Sequence, residues 1–371
     1  MTERCAIAVV GAGMAGASLA SELAALGAGP VVVLEAEDRP GYHTTGRSAA
    51  FWEECYGGPD VVPLTLASGR WLRDHGFLDP RGALYVGQAE HEGALDAFME
   101  TFAGTGVTIE RLGRNRLAEH LPGVRAAYTG AVWEPACADI DVAGLHQHYL
   151  AAAKRGGVEL RTRWRVVSAE RTGDGWRLVN ERGDALVCDV VANAAGAWAD
   201  TFAELAGARP LGIQPLRRTV AQLRTDPQPP ADLPLVLDIE GRFYFKPESG
   251  RLWLSPHDEE PSPPCDAAPE ELAVAEAIDR FERVVDWRVE AVERKWAGLR
   301  SFAPDRLPVY GYDPDARGLF WFAGQGGFGI QTAPAAARLG AQLLLLKARD
   351  AMTEALDARL YDPARFDSTG A

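Results

Sequence analysis

The chain has 371 residues, of which 47% are hydrophobic and 24% charged, a composition typical of globular proteins with two or three domain-sized units. Its formal net charge of −14 argues against nucleic acids or anionic membranes as partners. The five cysteines are scattered and form no CxxC pair, which argues against a disulfide scaffold and predicts no metal site. The most apolar late stretch, residues 333–346, is too short and too polar to be a transmembrane segment. Because the first apolar run leads directly into a glycine turn rather than a cleavage site, we expect a cytoplasmic protein.

The N-terminal residues follow the pattern of a βαβ unit that binds a dinucleotide. Two apolar runs, residues 6–10 and 31–34, are separated by a glycine turn and an Ala/Leu-rich helix. Gly11 permits the tight turn, Gly13 lets backbone N–H groups approach a pyrophosphate, and Gly16 lets the helix pack closely on the strand. The helix then directs its positive N-terminus at the phosphates.

An acidic residue and a loop of small polar residues follow the second strand. Glu35 lies where a carboxylate can accept hydrogen bonds from the ribose hydroxyls of the adenosine. The loop at residues 38–50 follows near the mouth of the predicted site. Its Arg47 and Ser48 are candidates to hold phosphate or flavin oxygens, and a surface turn is the alternative.

The remaining pattern predicts further helices and strands in two blocks. Helices are predicted at residues 61–75, 92–103, 116–121, 142–155, 199–206, 270–286 and after 331. Strands are predicted at 83–87, 131–135, 158–160, 166–168, 176–179, 186–192, 217–223, 235–238, 242–246, 252–254, 296–302 and 320–323. Two small-residue turns, 193–198 and 324–331, each join an apolar strand to a helix. In a doubly wound sheet such turns lie beside the ligand.

Eight stretches spread in order over nearly the whole chain resemble the FAD-dependent D-amino-acid oxidase superfamily, and within it the bacterial D-arginine dehydrogenases. They are VVGAGMAGAS, PGYHTTGRSAA, ADIDVAGLHQHYL, NAAGAW, RPLGIQPLRR, FYFKP, WAGLRSF and GQGGFGIQT. The resemblance implies noncovalent FAD and oxidation of an amino acid to an imino acid, which hydrolyses to a 2-oxo acid and ammonia. The electron acceptor would be a quinone-type carrier or O2.

The resemblance also implies a fold class, an α/β (α+β) protein of two domains. A Rossmann-like FAD-binding domain would be formed by residues 1–82, 141–212 and 298–371. An inserted, mostly antiparallel β-sheet domain would bind the substrate and comprise residues 83–140 and 213–297.

The resemblance assigns the cofactor contacts residue by residue. The ADP half would meet Gly11, Gly13, Gly16 and Glu35, and the adenine would meet the backbone of Val167. The flavin end would meet Arg47, Ser48 and Ala49, and the crevice would be lined by Ala195 and Gly196. The isoalloxazine side would be wrapped by Gly326, Gly327, Phe328, Gly329, Ile330 and Gln331. Further contacts are expected at Met14, Ala15, Ala36, Thr45, Gly46, Trp198 and Arg300.

Four residues resemble the substrate-binding groups of the superfamily. Arg218 and Arg300 correspond to the arginines that clamp the substrate carboxylate, and Tyr56 and Tyr244 to the tyrosines that close over it. A guanidinium fork binds a carboxylate through two parallel hydrogen bonds and so fixes the substrate for hydride transfer from Cα to flavin N5. The alternatives are surface salt bridges for the arginines and an ordinary sheet aromatic for Tyr244.

The predicted substrate pocket departs from the D-arginine enzymes. Ala83 stands where they have a glutamate that pairs with the substrate guanidinium, and Phe51 stands where they have a histidine. Since a lost buried charge pair weakens binding strongly, we predict neutral or hydrophobic D-amino acids as substrates. Glu53 replaces a threonine and would restore a negative charge if it points inward. Gln331 completes the predicted pocket.

Two other functions stay open from the sequence. The first is an amine oxidoreductase of the same superfamily that acts on a secondary amine or a biosynthetic intermediate. The second is a flavin-binding protein without amino-acid turnover, against which the retained arginines and tyrosines argue.

Overall fold

The computed structural model describes residues 3–49, 51–173 and 175–369. The helices within them are α1 (Met14–Ala25), α2 (Val62–Asp74), α3 (Glu92–Thr101), α4 (Arg114–His120), α5 (Val142–Arg155), α6 (Ala199–Leu205), α7 (Glu271–Val284) and α8 (Ala333–Leu344). The strands are β1 (Glu3–Val10), β2 (Val31–Leu34), β3 (Phe51–Trp52), β4 (Leu78–Pro80), β5 (Ala83–Gln88), β6 (Glu110–Gly113), β7 (Tyr128–Glu134), β8 (Ala138–Ile140), β9 (Glu159–Arg161), β10 (Val166–Thr172), β11 (Gly175–Asn180), β12 (Ala185–Asn193), β13 (Gln214–Asp226), β14 (Leu235–Asp238), β15 (Tyr244–Glu248), β16 (Arg251–Ser255), β17 (Glu260–Pro261), β18 (Arg288–Phe302), β19 (Val309–Tyr312), β20 (Leu319–Ala323) and β21 (Gln325–Gly326).

The first sheet is built around β1. This strand pairs in parallel with β2 on one side and with β12 on the other, and β9 pairs in parallel with β2. The second edge of β12 pairs first with β11 and then with β20. Val10, Leu34 and Asn193 therefore lie side by side at the carboxyl ends of three parallel strands. This is the edge at which open parallel sheets bind their ligands.

Helices cover both faces of this sheet, which explains why its central strands are almost continuously apolar. On one face α1 packs with α5 and α8, and Leu19, Leu339 and Phe322 belong to the same buried cluster. On the other face Trp176, Trp321 and residues of α6 form a second buried cluster. The first strand and its glycine turn are thus held between two apolar layers.

The second sheet has ten strands and is mostly antiparallel, as the sequence predicted. Its order is β21-β18-β13-β16-β15-β14-β5-β7-β6, with β17 paired to β13. The pair β14–β5 is parallel because β5 arrives from a distant part of the chain. Strands β13 and β18 pair along their whole length and carry Arg218 and Arg300.

Two connections tie the sheets together. A small sheet, β3-β8-β4, combines segments on both sides of the predicted boundary at residues 82/83 and 140/141. Strand β18 runs unbroken through the predicted boundary at 297/298. The domain boundaries themselves stay a prediction. Within the described ranges, no helix combines the length and the apolar character needed to cross a membrane.

Candidate active site

A continuous cavity extends from the carboxyl edge of the first sheet to the face of the second. Most residues predicted to contact the cofactor line it. They are Gly11, Gly13, Met14, Ala15, Glu35, Ala36, Thr45, Arg47, Ser48, Ala49, Ala195, Gly196, Trp198, Arg300, Gly326, Gly327, Gly329 and Ile330. Five predicted substrate residues also line it: Phe51, Glu53, Tyr56, Arg218 and Tyr244.

The nucleotide end of the cavity is shaped by the first glycine turn. Gly11 adopts a φ of 101°, which favours glycine. A Cβ on Gly16 would lie 1.9 Å from the carbonyl oxygen of Gly11, so only a glycine allows this approach of α1 to the turn. Gly13 is the N-cap of α1 and has no capping side chain, and the Met14 N–H at the first helical position donates to the Thr45 hydroxyl at 2.9 Å. The positive end of the helix dipole thus faces the cavity, where it favours an anion.

The acidic residue after β2 is buried against the same turn. One Glu35 carboxylate oxygen accepts a hydrogen bond from the Ala12 backbone N–H at 2.8 Å, and the other accepts from Glu37 at 2.9 Å. Each carboxylate oxygen has a further lone pair available to a ribose hydroxyl. The glycine cradle, the N-terminus of α1 and this carboxylate together fit the ADP part of FAD.

Six predicted residues lie outside the cavity lining. Gly16 and Gly46 act through backbone packing, since a Cβ on Gly46 would lie 2.7 Å from the Gly41 oxygen. Phe328 and Gln331 are buried behind the wall. Ala83 and Val167 also lie outside the lining.

The adenine contact predicted at the Val167 backbone stays a prediction. The register of β10 shifts between Val166 and Ser168, and the Val167 side chain is 42% exposed. Trp164, Arg165 and Val166 line the cavity instead. A strand alternation read from sequence cannot reveal such a bulge.

The pocket role predicted for Ala83 also stays a prediction, and the residue lies outside the cavity lining. Ala83 is fully buried in β5, directly opposite Glu134 of β7, within an apolar cluster. The cavity wall in this region is formed by Val220, Leu237 and Tyr244 instead. Tyr244 was predicted from the sequence, whereas Val220, Leu237 and His257 were identified as lining residues only from the tertiary structure.

Two arginines meet on one face of the second sheet. Arg300 pairs with Leu216 in register and Arg218 follows two residues later, so both side chains leave the same face. Burial, followed by the nearby positive charge of Arg300, lowers the pKa of Arg218 to about 10. Two buried cations this close together form a site that favours an anion.

Each arginine is oriented by neighbouring groups. Arg300 donates from Nη1 to the Tyr56 hydroxyl at 2.6 Å and from Nη2 to Glu259 Oε1 at 2.7 Å. Its Nε is buried and has no hydrogen-bond partner among the described residues. Arg218 donates to the backbone oxygens of Asp258 and His257. Arg300 therefore has one buried donor without a partner among these residues.

An aromatic wall adjoins the arginines. The Phe51 ring lies 5.6 Å from the Tyr244 ring and 6.4 Å from the Tyr56 ring. A Cβ on Gly327 would lie 1.9 Å from the Tyr56 hydroxyl, so this glycine makes room for the tyrosine against Arg300. The wall therefore combines apolar ring surface with the hydroxyl groups of Tyr56 and Tyr244.

Glu53 is buried at the cavity wall rather than solvated at the surface. The residue is one of those that line the cavity, and it is 1% exposed. Burial and the nearby Glu134 raise the pKa of Glu53. Gln331 fixes its backbone by accepting from the Glu53 N–H at 3.2 Å and donating to its carbonyl at 3.1 Å. Gln331 thus acts on the pocket through Glu53.

The sequence model of the family described as FAD dependent oxidoreductase (DAO) matches residues 6–343. The chain belongs to this family. FAD is the cofactor of this FAD-dependent oxidoreductase, in agreement with the fit of the nucleotide end.

Known proteins similar to this oxidoreductase extend the comparison. Glycine oxidase from Geobacillus kaustophilus is 26% identical over 366 residues, covering 93% of this chain and 94% of that protein. The crystal structure of glycine oxidase from that organism superposes with a TM-score of 0.84 at 24% identity, covering 98% of this chain and 99% of the other. L-proline dehydrogenase from P. horikoshii gives a TM-score of 0.85 at 22% identity and 99% coverage of both chains. These structures share the two-domain fold.

Other relatives match over shorter regions. The mouse FAD-dependent oxidoreductase domain-containing protein 1 is 29% identical over 174 residues, and the match spans 43% of this chain and 36% of that protein. The chain thus spans little more than a third of the length of such relatives. The relatives support the predicted superfamily but not the narrower likeness to D-arginine dehydrogenases.

Proposed function

We propose that this oxidoreductase catalyses the oxidative deamination of a D-amino acid to the 2-oxo acid and ammonia. The observation that carries the proposal is the pair of buried arginines, Arg218 and Arg300, in a cavity continuous with the cofactor cradle. The similarity to glycine oxidase, whose name states an amino-acid substrate, supports the same class of reaction.

In this proposal the arginines bind the substrate carboxylate and fix its orientation. The buried Nε of Arg300 and the guanidinium of Arg218 supply donors, and the Tyr56 and Tyr244 hydroxyls adjoin them. When bound, the flavin accepts the hydride from Cα at its N5 atom. The protein contributes position and electrostatics, because a substrate held at near-attack distance needs little further activation.

The side-chain part of the cavity favours a neutral or hydrophobic substrate. Its wall includes Phe51, Val220 and Leu237, and Ala83 supplies no carboxylate. D-leucine is therefore expected to be used more efficiently than D-arginine. Comparable kcat/KM values for the two would contradict this specificity.

A second candidate is oxidation of a secondary amine or a biosynthetic intermediate, as predicted from the departures in the pocket. The burial of Glu53 at the cavity wall is the observation that favours it, because an amino group of any degree of substitution can pair with a carboxyl. We further propose noncovalent FAD, the domain boundaries given above, a cytoplasmic location, and a quinone-type carrier or O2 as electron acceptor.

The deciding experiment is the anaerobic visible spectrum of the flavin during addition of D- and L-amino acids one at a time. Bleaching by D-isomers alone supports the proposal. Arg300→Met should then reduce kcat/KM by at least about tenfold while FAD stays bound, because a charged hydrogen-bond partner is lost. Arg294→Met is the matched control, since Arg294 is exposed on the same strand. Bleaching by secondary amines alone would favour the second candidate, and equal activity of Arg300→Met would refute the arginine clamp.

A further inference from the structure

Three glutamate side chains are buried together beside the aromatic wall, and only one of them lacks a partner. Glu134 accepts from the backbone N–H of Glu54 at 2.7 Å, and Glu54 accepts from the backbone N–H of Thr108 at 3.0 Å. Glu53 Oε2 is buried without a hydrogen-bond partner in the part of the chain that the structure describes. Because Glu53 also lines the cavity, a group of a ligand bound there can supply the missing hydrogen-bond partner of its carboxyl.

The charges around Glu53 come from several elements. On its own segment lie Glu54 and Cys55, and across from them lie Glu134 of β7, Cys137, Asp139 of β8, Lys246 of β15 and Arg73 of α2. Across the cavity lie Tyr56, Tyr244, His257, Arg218 and Arg300.

The nearby cations are already engaged by other groups. Lys246 Nζ lies 2.7 Å from an Asp139 oxygen and 3.3 Å from Glu248. Arg73 lies over the Trp52 ring at 4.8 Å, and its charge acts on Glu54. Among the described residues, no ion pair joins Glu53 to a cation. The acidic end of the cavity therefore has a deficit of positive charge that a ligand can supply.

The two ends of the cavity differ in charge. The arginines form an anion-binding end, and Glu53 forms an acidic position beside the Phe51 and Tyr56 rings. A substrate anchored by its carboxylate directs its amino groups into the remaining space. Aromatic faces and a carboxyl group are both favourable neighbours for an ammonium group.

We propose that Glu53, supported by Glu134, is the residue that binds an amino group of the substrate and exchanges one proton with it. The inference rests on the proposed function and specifies its substrate contacts. In the exchange an N–H bond of the ammonium breaks and an O–H bond forms on the ionised Glu53 carboxylate. The products are a neutral amine and a neutral carboxyl, and no electrons are transferred.

Burial favours this exchange. A buried ion pair is poorly solvated, whereas the neutral amine and the neutral carboxyl are both tolerated away from water. The neutral amine is also the form from which Cα can release a hydride, because its nitrogen lone pair stabilises the imino product. Since Glu53 must be ionised to accept the proton, the efficiency of the enzyme should rise with pH.

Two amino groups can be the partner of Glu53. One is the reacting α-amino group, present in every amino-acid substrate. The other is a second amino group at the end of a dibasic side chain. Both have the same chemistry, and the choice of substrate separates them.

The experiment compares wild-type holoenzyme, Glu53→Gln and the matched control Glu54→Gln, whose side chain is buried but lies outside the cavity lining. Flavin content is measured first, and Glu53→Asp replaces the amide variant if that variant loses FAD. The values of kcat/KM for D-leucine and D-ornithine are then measured from about pH 6 to 10, a window that spans the ordinary amine and raised carboxyl pKa values.

A loss of at least about tenfold with both substrates in Glu53→Gln, together with a shift of the pH profile, supports binding of the α-amino group. A loss with D-ornithine alone supports binding of the side-chain amino group. If Glu53→Gln keeps the wild-type kcat/KM and pH profile for both substrates, the proposal is overturned, regardless of the values measured for Glu54→Gln.

Failure of the proposed function gives a different result, namely that no amino acid bleaches the wild-type flavin. The inference is then tested by titrating the oxidised holoenzymes with N-methylbutylamine and following the flavin difference spectrum. Binding to the wild type that is weakened at least about tenfold in Glu53→Gln supports an amine site. Equal or absent binding in both proteins overturns it.

Discussion

A single methyl group placed on Gly16 should remove FAD from the protein. Its Cβ would lie 1.9 Å from the carbonyl oxygen and 2.9 Å from the carbonyl carbon of Gly11. Both atoms belong to the backbone, so no side-chain rotation relieves the contact. Ordinary contact begins at 3.4 Å, so α1 and the turn must separate by 1.5 Å (3.4 − 1.9). That displacement moves the N-terminus of α1 away from the phosphate position.

The expected cost is large because Gly16 is buried and the atoms that it would meet belong to the backbone. Overpacking of a core usually costs about 1–3 kcal/mol, and a backbone clash of this depth lies at the upper end of that range. Gly13→Ala is the informative companion variant. Its Cβ would meet Thr45 Oγ1 at 3.2 Å and otherwise point to the cofactor side, so it should weaken FAD binding with little effect on packing.

The assay measures the FAD-to-protein ratio after purification and the urea unfolding midpoint in excess FAD. Gly16→Ala should lower both, whereas Gly13→Ala should lower mainly the FAD content. Gly93→Ala is the control, because a Cβ there meets nothing within 4 Å. If Gly16→Ala retains full FAD and the wild-type midpoint, the close approach of α1 to the turn is not what forms the cofactor site.

Contacts around the cavity lead to three further predictions. Glu259→Gln should lower the KM for an amino acid about two- to fivefold, because the half-exposed Glu259 carboxylate no longer competes with the substrate for Arg300. A raised KM at unchanged kcat would show that Glu259 positions the arginine instead. Ala83→Glu should lower the free energy of unfolding by about 3 kcal/mol or more, because it buries a carboxyl group opposite Glu134. A higher kcat/KM for D-arginine at wild-type stability would contradict the assignment of Ala83 to the core. Burial raises the pKa of Glu134 from 4.5 to about 7, so the folded state binds more protons than the unfolded state between these values. The contribution of Glu134 to the free energy of unfolding, about 3 kcal/mol, should therefore be present at acidic pH and be lost as pH rises through 7. Urea titrations should show a smaller fall over this range in Glu134→Gln, and identical slopes would refute the assignment to Glu134.

Much of the fold could be predicted because long elements have strong periodic patterns. The first βαβ unit, the helix capped by Asp141 and the paired strands β13 and β18 were all visible as apolar repeats or turn signals. Asp141 accepts from the Gly144 N–H at 2.8 Å, as expected of an N-cap. The short strands β3, β4 and β17 were missed, since two or three residues carry no measurable alternation.

The predicted site residues also divide into those that local spacing identifies and those whose surroundings depend on contacts between distant parts of the chain. Gly11, Gly13 and Glu35 were found from local spacing, because one turn and two adjacent strands bring them together. The surroundings of Val167 could not be predicted, because a bulge changes which residues of β10 face the cavity. The burial of Ala83 could not be predicted either, because the face of a strand in a folded sheet depends on its partners β14 and β7, which are distant in the chain.

The sequence by itself determined the dinucleotide-binding unit, the mixed fold class and the superfamily, because these depend on local patterns and on the order of motifs. Only the tertiary structure decided the burial of Glu53 at the cavity wall, the contact of Glu259 with the arginines and the burial of Ala83. The physical reason is that solvent exposure and charge pairing are properties of residues far apart in the chain. The sequence identifies a glutamate but does not show whether water, an arginine or another carboxyl group surrounds its side chain.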